Sequence, residues 1–293
     1  MIGPLFRSPV RGPRSEPLRI DVGRRARNLF GAFVELVTAP LGFWRLQRLE
    51  VVTVEIGIRG LAPAFDGYRI AYLSDLHKSA IVPRWWLEQA VRSALEARPD
   101  LIALGGDFVH DDVHYAPGLA ELLAPLAAPD GVVAVLGNHD HYIGPQHVRD
   151  ALHSAGIVEL LNVARVLQRG DARLAIAGLG DLQCDVIDFT AAVGSVPQNV
   201  PRIVLSHDPD VFAYWPVEHR LDLMISGHTH GGQAYLPILG PPFVPSQFGF
   251  RYLKGLVREG GRQLYVSRGV GASGVPFRWG CPAELTVIIL RPS

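Results

Sequence analysis

The stretch YRIAYLSDLH, residues 68–77, decides the fold of this chain. It begins as a short, largely apolar run and closes on Ser74, Asp75 and His77. A short apolar run bounded by polar turn residues reads as a buried strand. The same shape returns in LIALGGD (101–107), GVVAVLGNHD (131–140), RIVLSHD (202–208) and LDLMISGHTH (221–230). Stretches of helical period, such as Trp85–Ala97 and Gln146–Ala155, lie between them. Buried strands alternating with helices predict an α/β sandwich with its functional groups on loops beyond the carboxyl ends of the strands.

Further runs complete the pattern. VVTVEIGI (51–58) alternates like a half-buried strand. VARVLQRGDARLAIAGL (163–179) reads as a hairpin turning near Gly170–Asp171. QLYVSRG (263–269) and ELTVIIL (284–290) supply late strands.

Composition excludes some classes of protein. The 293 residues carry 28 basic and 28 acidic side chains, so general binding of nucleic acid or another polyanion has no support. Cys184 and Cys281 are far apart and neither has a CxxC partner, so both read as small buried hydrophobes rather than a disulfide or redox pair.

The charge is uneven, however. Arg7, Arg11, Arg14, Arg19, Arg24, Arg25 and Arg27 crowd a start that holds only Glu16 and Asp21 in opposition. LFGAFVELVTAPLGFW (29–44) follows, with Phe30, Phe33, Val37, Leu41 and Trp44 at helical spacing and Pro40 set to kink or end the helix. The run is short for a membrane span and contains Glu35, so an interfacial helix behind a basic arm fits better. Packing against the domain is a second reading. Export by a twin-arginine route is a third, weakened because no A-x-A cleavage site follows. These features divide the chain into a basic, amphipathic segment, 1–49, and an α/β domain, 50–293. They suggest a cytoplasmic protein or one peripheral on the inner membrane face.

Five strand ends carry Asp75 and His77, Asp107, Asn138 with His139 and Asp140, His207, and His228 with His230. Any one of them alone is an ordinary helix cap or a satisfied polar group. Together, at the same end of one sheet, they read as a metal centre. Oxygen and imidazole donors without thiolates suit zinc, manganese or iron and disfavour a closed structural zinc site. In an extended D-x-H or H-x-H, residues i and i+2 point the same way, which would bring both to one cluster. Glycine before Asp107, Asn138 and His228 would let the backbone turn sharply, and Gly231 and Gly232 would leave room for a substrate.

In order, D-x-H, G-G-D, G-N-H-D, a later H and G-H-x-H resemble the calcineurin-like metallophosphoesterase superfamily, over Asp75 to His230. GHTHGGQ, RYLKG and SRGVGASGVPFRWGCPAE (267–284) further resemble a bacterial subgroup of membrane-associated phosphodiesterases and pyrophosphatases acting on UDP-2,3-diacylglucosamine. The resemblance implies an αββα sandwich. It implies that Asp75, His77 and His230 hold one divalent ion, that Asn138, His207 and His228 hold a second, and that Asp107 bridges them. It also implies that His139 serves the phosphate as hydrogen-bond donor or general acid and that Asp140 orients its ring. Two ions about 3.5–4 Å apart would then acidify a bridging water, and the resulting hydroxide would attack phosphorus in line.

Other residues carry weaker readings. Arg268 and Arg278 are candidate phosphate contacts. His110 and Asp111 fit a supporting or a solvent-facing role equally, His141 reads as surface, and His114, His147, His153 and His219 as structural. LPILGPPFVPSQFGF (236–250) reads as a packed loop that could also wall an acyl chain. The function expected is hydrolysis of a phosphodiester or pyrophosphate, with a lipid-linked substrate weighed against soluble or cell-wall diesters. A non-catalytic binding protein on the same fold is disfavoured, because a structural site has no need of His139.

Overall fold

The structure is a computed structural model that describes Trp44, residues 47–235, Ile238 and residues 240–293. The basic arm and most of the amphipathic run lie outside the described residues. In chain order the first strands are β1 (Leu49–Ile58), β2 (Arg69–Leu73), β3 (Leu101–Leu104), β4 (Val132–Ala134), β5 (Val158–Glu159) and β6 (Val163–Arg169). They are followed by β7 (Ala172–Gly178), β8 (Arg202–Leu205), β9 (Leu223–Ser226), β10 (Gly255–Glu259), β11 (Arg262–Val266) and β12 (Ala283–Pro292). The α-helices are α1 (Arg84–Glu96), α2 (Leu119–Leu123), α3 (Asn138–Tyr142), α4 (Pro145–Ser154) and α5 (Phe189–Val193).

The strands form two six-stranded sheets, ordered β1-β12-β2-β3-β4-β5 and β10-β11-β9-β8-β7-β6. β2 to β5 are parallel neighbours, as are β7, β8, β9 and β11. The expected hairpin is present: β6 and β7 pair antiparallel up to Arg169↔Ala172, leaving Gly170–Asp171 as the turn. β1 pairs with β12 along its whole length, from Leu49↔Ala283 to Ile58↔Pro292.

Side-chain alternation makes the layers. Ile70 and Tyr72 of β2 enter a core shared with Ile176, Ile203 and Ile225 of the second sheet. Ala71 and Leu73, on the opposite face, pack under α1 with Trp86, Leu87, Ala90 and Val91. Those α1 residues form one buried stripe with Ala94, as a surface helix requires. Beneath the second sheet, Val204 and Met224 pack with Phe189, Ala192 and Val193 of α5. The order of layers is therefore helix, sheet, sheet, helix, the αββα sandwich expected. The site loops do not share one sheet, as the sequence suggested. β2, β3 and β4 deliver three polar clusters from the first sheet, and β8 and β9 deliver two from the second.

Trp44 is buried against Trp86, with ring centroids 5.2 Å apart, and its indole N–H donates to the Ile81 carbonyl at 2.6 Å. The end of the amphipathic run is thus tied to α1. Cys281 is buried as expected, whereas Cys184 is exposed.

Candidate metal centre

The seven residues expected as ligands meet where the two sheets end together. Asp107 lies at the middle: its Oδ2 is 3.4 Å from His77 Nε2 and 3.2 Å from His207 Nε2. On one side, His77 Nε2 faces His230 Nε2 at 2.9 Å, and His230 Nε2 lies 3.7 Å from Asp75 Oδ1. On the other, His228 Nδ1 faces His207 Nε2 at 3.2 Å. Asp75–His77–His230 and Asp107–His207–His228 are each compact enough to hold an ion. Asn138 is buried beside them, and its Oδ1 has no hydrogen-bond partner.

The local backbone is unusual. Asp75, His77, Asp107, His228 and His230 all have positive φ, between 44° and 69°. Each such non-glycine residue costs roughly 1–3 kcal/mol and persists only where the surroundings impose it. This corrects the expectation from alternation. The pairs Asp75/His77 and His228/His230 converge because left-handed residues curl the chain around the site, not because an extended strand points them one way.

Glycine serves close approach of protein to protein. A Cβ on Gly137 would stand 2.3 Å from Asp107 Oδ1, and one on Gly227 would stand 2.4 Å from Asp75 Oδ2. Gly231 and Gly232 were expected to make room for a substrate, and Gly232 does line a cavity beside His228 and His230. A Cβ on Gly231 would strike the Arg268 and Cys281 side chains, and one on Gly232 would strike Pro241, so neither position tolerates a side chain.

Electrostatics favour a cation at this centre. Burial pushes the pKa values of His77, His228 and His230 below the ordinary imidazole range, which keeps the rings neutral and their lone pairs available. Burial works against charge on His207 as well, but adjacent Asp107 overrides it and raises that ring well above its usual range. Facing imidazole nitrogens around buried carboxylates, with an orphaned amide oxygen beside them, fit a divalent ion.

Two expected roles are corrected. Asp140 does not reach the His139 ring. Its Oδ2 accepts the N–H groups of Asp107 (2.9 Å) and Gly137 (3.0 Å), and its Oδ1 those of Phe108 (2.8 Å) and Val109 (3.2 Å). It clamps the loop after β3 to the loop after β4, while His139 Nδ1 is held 2.5 Å from the His110 carbonyl oxygen. The arginines expected on the phosphate are committed elsewhere. Arg278 is buried, with Nε donating to the Gly271 carbonyl, Nη1 to that of His230 and Nη2 to that of Arg268. Arg268 is ion-paired with Glu284 at 2.5 Å and Glu50 at 3.0 Å.

Sequence reasoning also missed contributors. Gln183 Nε2 lies 3.4 Å from His228 Nε2, and Asp208 Oδ2 lies 3.8 Å from the same atom. No spacing signal marks Gln183. Asp208 directly follows His207 in sequence. His141, read as surface, is half-buried and pairs with Asp185 at 3.0 Å.

The family model for calcineurin-like phosphoesterases matches residues 68–232. The chain is similar to phosphodiesterase YaeI of Escherichia coli, at 38% identity over 76% of this chain and 82% of that one. It is also similar to the metallophosphoesterase YkuE of Bacillus subtilis, at 32% identity over 90% and 96%. Among solved structures, the NAD nucleotidase of Haemophilus influenzae aligns with a TM-score of 0.45 and 14% identity, over 69% of this chain and 45% of that one. The chain belongs to the calcineurin-like phosphoesterase family. It is a metal-dependent phosphoester hydrolase.

Proposed function

We propose that this hydrolase cleaves a phosphodiester or pyrophosphate bond with two divalent ions of manganese, zinc or iron. In this reading Asp75, His77 and His230 hold one ion, Asn138, His207 and His228 hold the other, and Asp107 serves both. The observation that carries it is the position of Asp107 Oδ2, 3.4 Å from His77 Nε2 and 3.2 Å from His207 Nε2. When bound, the ions would supply Lewis-acid polarisation of the phosphoryl group and an acidified water. With Nδ1–H donating to the His110 carbonyl, His139 as an imidazolium would offer Nε2–H to a phosphoryl or leaving-group oxygen. The Asp107 carboxylate also accepts the His139 backbone N–H at 2.9 Å, which ties that ring's position to the centre.

The proposal extends to an apolar group beyond the phosphate, as in a lipid-linked substrate such as UDP-2,3-diacylglucosamine. In support, a cavity of about 240 Å³ adjoins His228 and His230 and is walled by Pro242, Phe243, Pro245 and Val275. Phe243 is 72% exposed at its rim, an arrangement suited to an apolar ligand or a membrane surface. Residues 1–49 would then hold domain 50–293 against the inner membrane face. Failure of the full-length protein to bind anionic liposomes would remove that contact.

The test is turnover of an aryl phosphodiester by chelated, then manganese-reloaded protein. Metal should restore activity, and Asp107→Asn should lower it at least about 100-fold; unimpaired hydrolysis by that variant refutes the mechanism. Phe243→Ser should raise KM for a diacylated pyrophosphate while sparing the aryl diester. Equal effects on both substrates would leave soluble or cell-wall diesters as the better reading.

A further inference from the structure

We infer that His110 is a positioning residue for the metal centre: its Nδ1 accepts the Nδ1–H of His77 and so fixes His77 with Nε2 bare toward the ion. The inference rests on the reading of His77 as a ligand. His77 Nδ1 and His110 Nδ1 are 2.9 Å apart. Two ring nitrogens at that distance need one proton between them, so one ring donates and the other accepts. The other nitrogen of His77 settles which. His77 Nε2 faces His230 Nε2 at 2.9 Å and Asp107 Oδ2 at 3.4 Å, so it must present a lone pair if an ion sits there. The proton of His77 is then on Nδ1, His110 Nδ1 is the acceptor, and His110 carries its own proton on Nε2. A ligand histidine oriented through its second nitrogen is a general device for fixing tautomer and ring angle.

The backbone builds this contact rather than leaving it to a mobile side chain. His77 N–H donates to the Asp107 carbonyl and Lys78 N–H to that of Phe108, each at 2.9 Å. Lys78 and Val109 form a parallel bridge and His110 N–H donates to the Lys78 carbonyl at 3.4 Å, which holds the two segments side by side with residue 110 diagonal to residue 77. The same residue fixes His139 twice. Its carbonyl holds His139 Nδ1, and the two rings stack with centroids 4.8 Å apart and 15° between planes. The Nε2–H tautomer therefore leaves a ring N–H, with no protein acceptor among the described residues, on a ring stacked against His139.

The experiment titrates Mn²⁺ into the full-length protein by calorimetry, for wild type, His110→Leu and His110→Asn. Asparagine places Oδ1 where Nδ1 stands, and leucine has the same shape without an acceptor. His110→Leu should weaken one of the two ions about 10–100-fold, with His110→Asn staying within about threefold of wild type. Equal, wild-type affinity in both variants overturns the inference, and so does equal loss in both, which would mean packing rather than the acceptor matters. Should His110→Leu fail to fold, ¹⁵N spectra of histidine-labelled, zinc-loaded wild type decide the matter. His77 should be the Nδ1–H tautomer and His110 the Nε2–H tautomer; the reverse assignment overturns it. A wild-type protein that takes up no metal would instead refute the ligand reading itself, an outcome distinct from all of these.

Discussion

Replacing Asp140 by alanine removes the acceptor for four buried N–H groups, those of Gly137, Asp107, Phe108 and Val109. An orphaned buried donor costs about 1–3 kcal/mol. The methyl group of alanine leaves space in which water can serve part of the set, so the four penalties do not add in full. The expected loss is about 3–5 kcal/mol, a large share of the stability of an ordinary domain. Burial and the neighbouring Asp107 charge push the Asp140 carboxyl up to about 7, and the four donors favour its charged form. An amide keeps one acceptor oxygen but turns an NH2 group toward two of those N–H groups, so Asp140→Asn should fall between wild type and alanine. Urea denaturation at constant m-value reads the difference as a shift of midpoint. The competing role, holding the tautomer of His139, leads to the opposite pattern: near wild-type stability with reduced turnover. A loss below about 1 kcal/mol in Asp140→Ala would refute the clamp, since even one unserved donor costs that much.

Two further outcomes follow from the packing. Trp86→Ala should cost about 3–5 kcal/mol in the same denaturation assay, because it empties a site sealed by Trp44 and frees the Val270 carbonyl; a small loss would mean that Trp44 and α1 are not tied together. Gly227→Ala places a Cβ 2.4 Å from Asp75 Oδ2 and should lower manganese-dependent turnover at least about tenfold with little change in circular dichroism; unchanged turnover would show that Asp75 can move without harm.

The candidate metal centre was legible because its signals are local. An apolar run that closes on Asp, Asn or His exposes both the strand and its functional end within ten residues, as YRIAYLSDLH does. The hairpin at Gly170–Asp171 is of the same kind, since a turn and its flanking strands are neighbours in sequence. What escaped depends on long-range contacts. Arg268 and Arg278 have the chemistry of phosphate ligands, but Glu284, Glu50 and a ring of carbonyl groups claim them. Asp140 has the sequence position of a partner for His139, but the loop after β3 closes over its carboxylate. His110 fits a supporting or a solvent-facing role equally by sequence, and only the fold shows its Nδ1 2.9 Å from His77 Nδ1.

By itself, then, the sequence determined the alternation of strands and helices and the candidate donor set, because hydrophobic period and ligand chemistry are properties of short segments. Tertiary structure decided which sheet delivers each donor, how left-handed backbone turns Asp75, His77, Asp107, His228 and His230 inward, and which charged groups are consumed on the way. Those outcomes depend on residues such as His77 and His230, 153 positions apart, meeting at 2.9 Å. Only the folded chain brings them together.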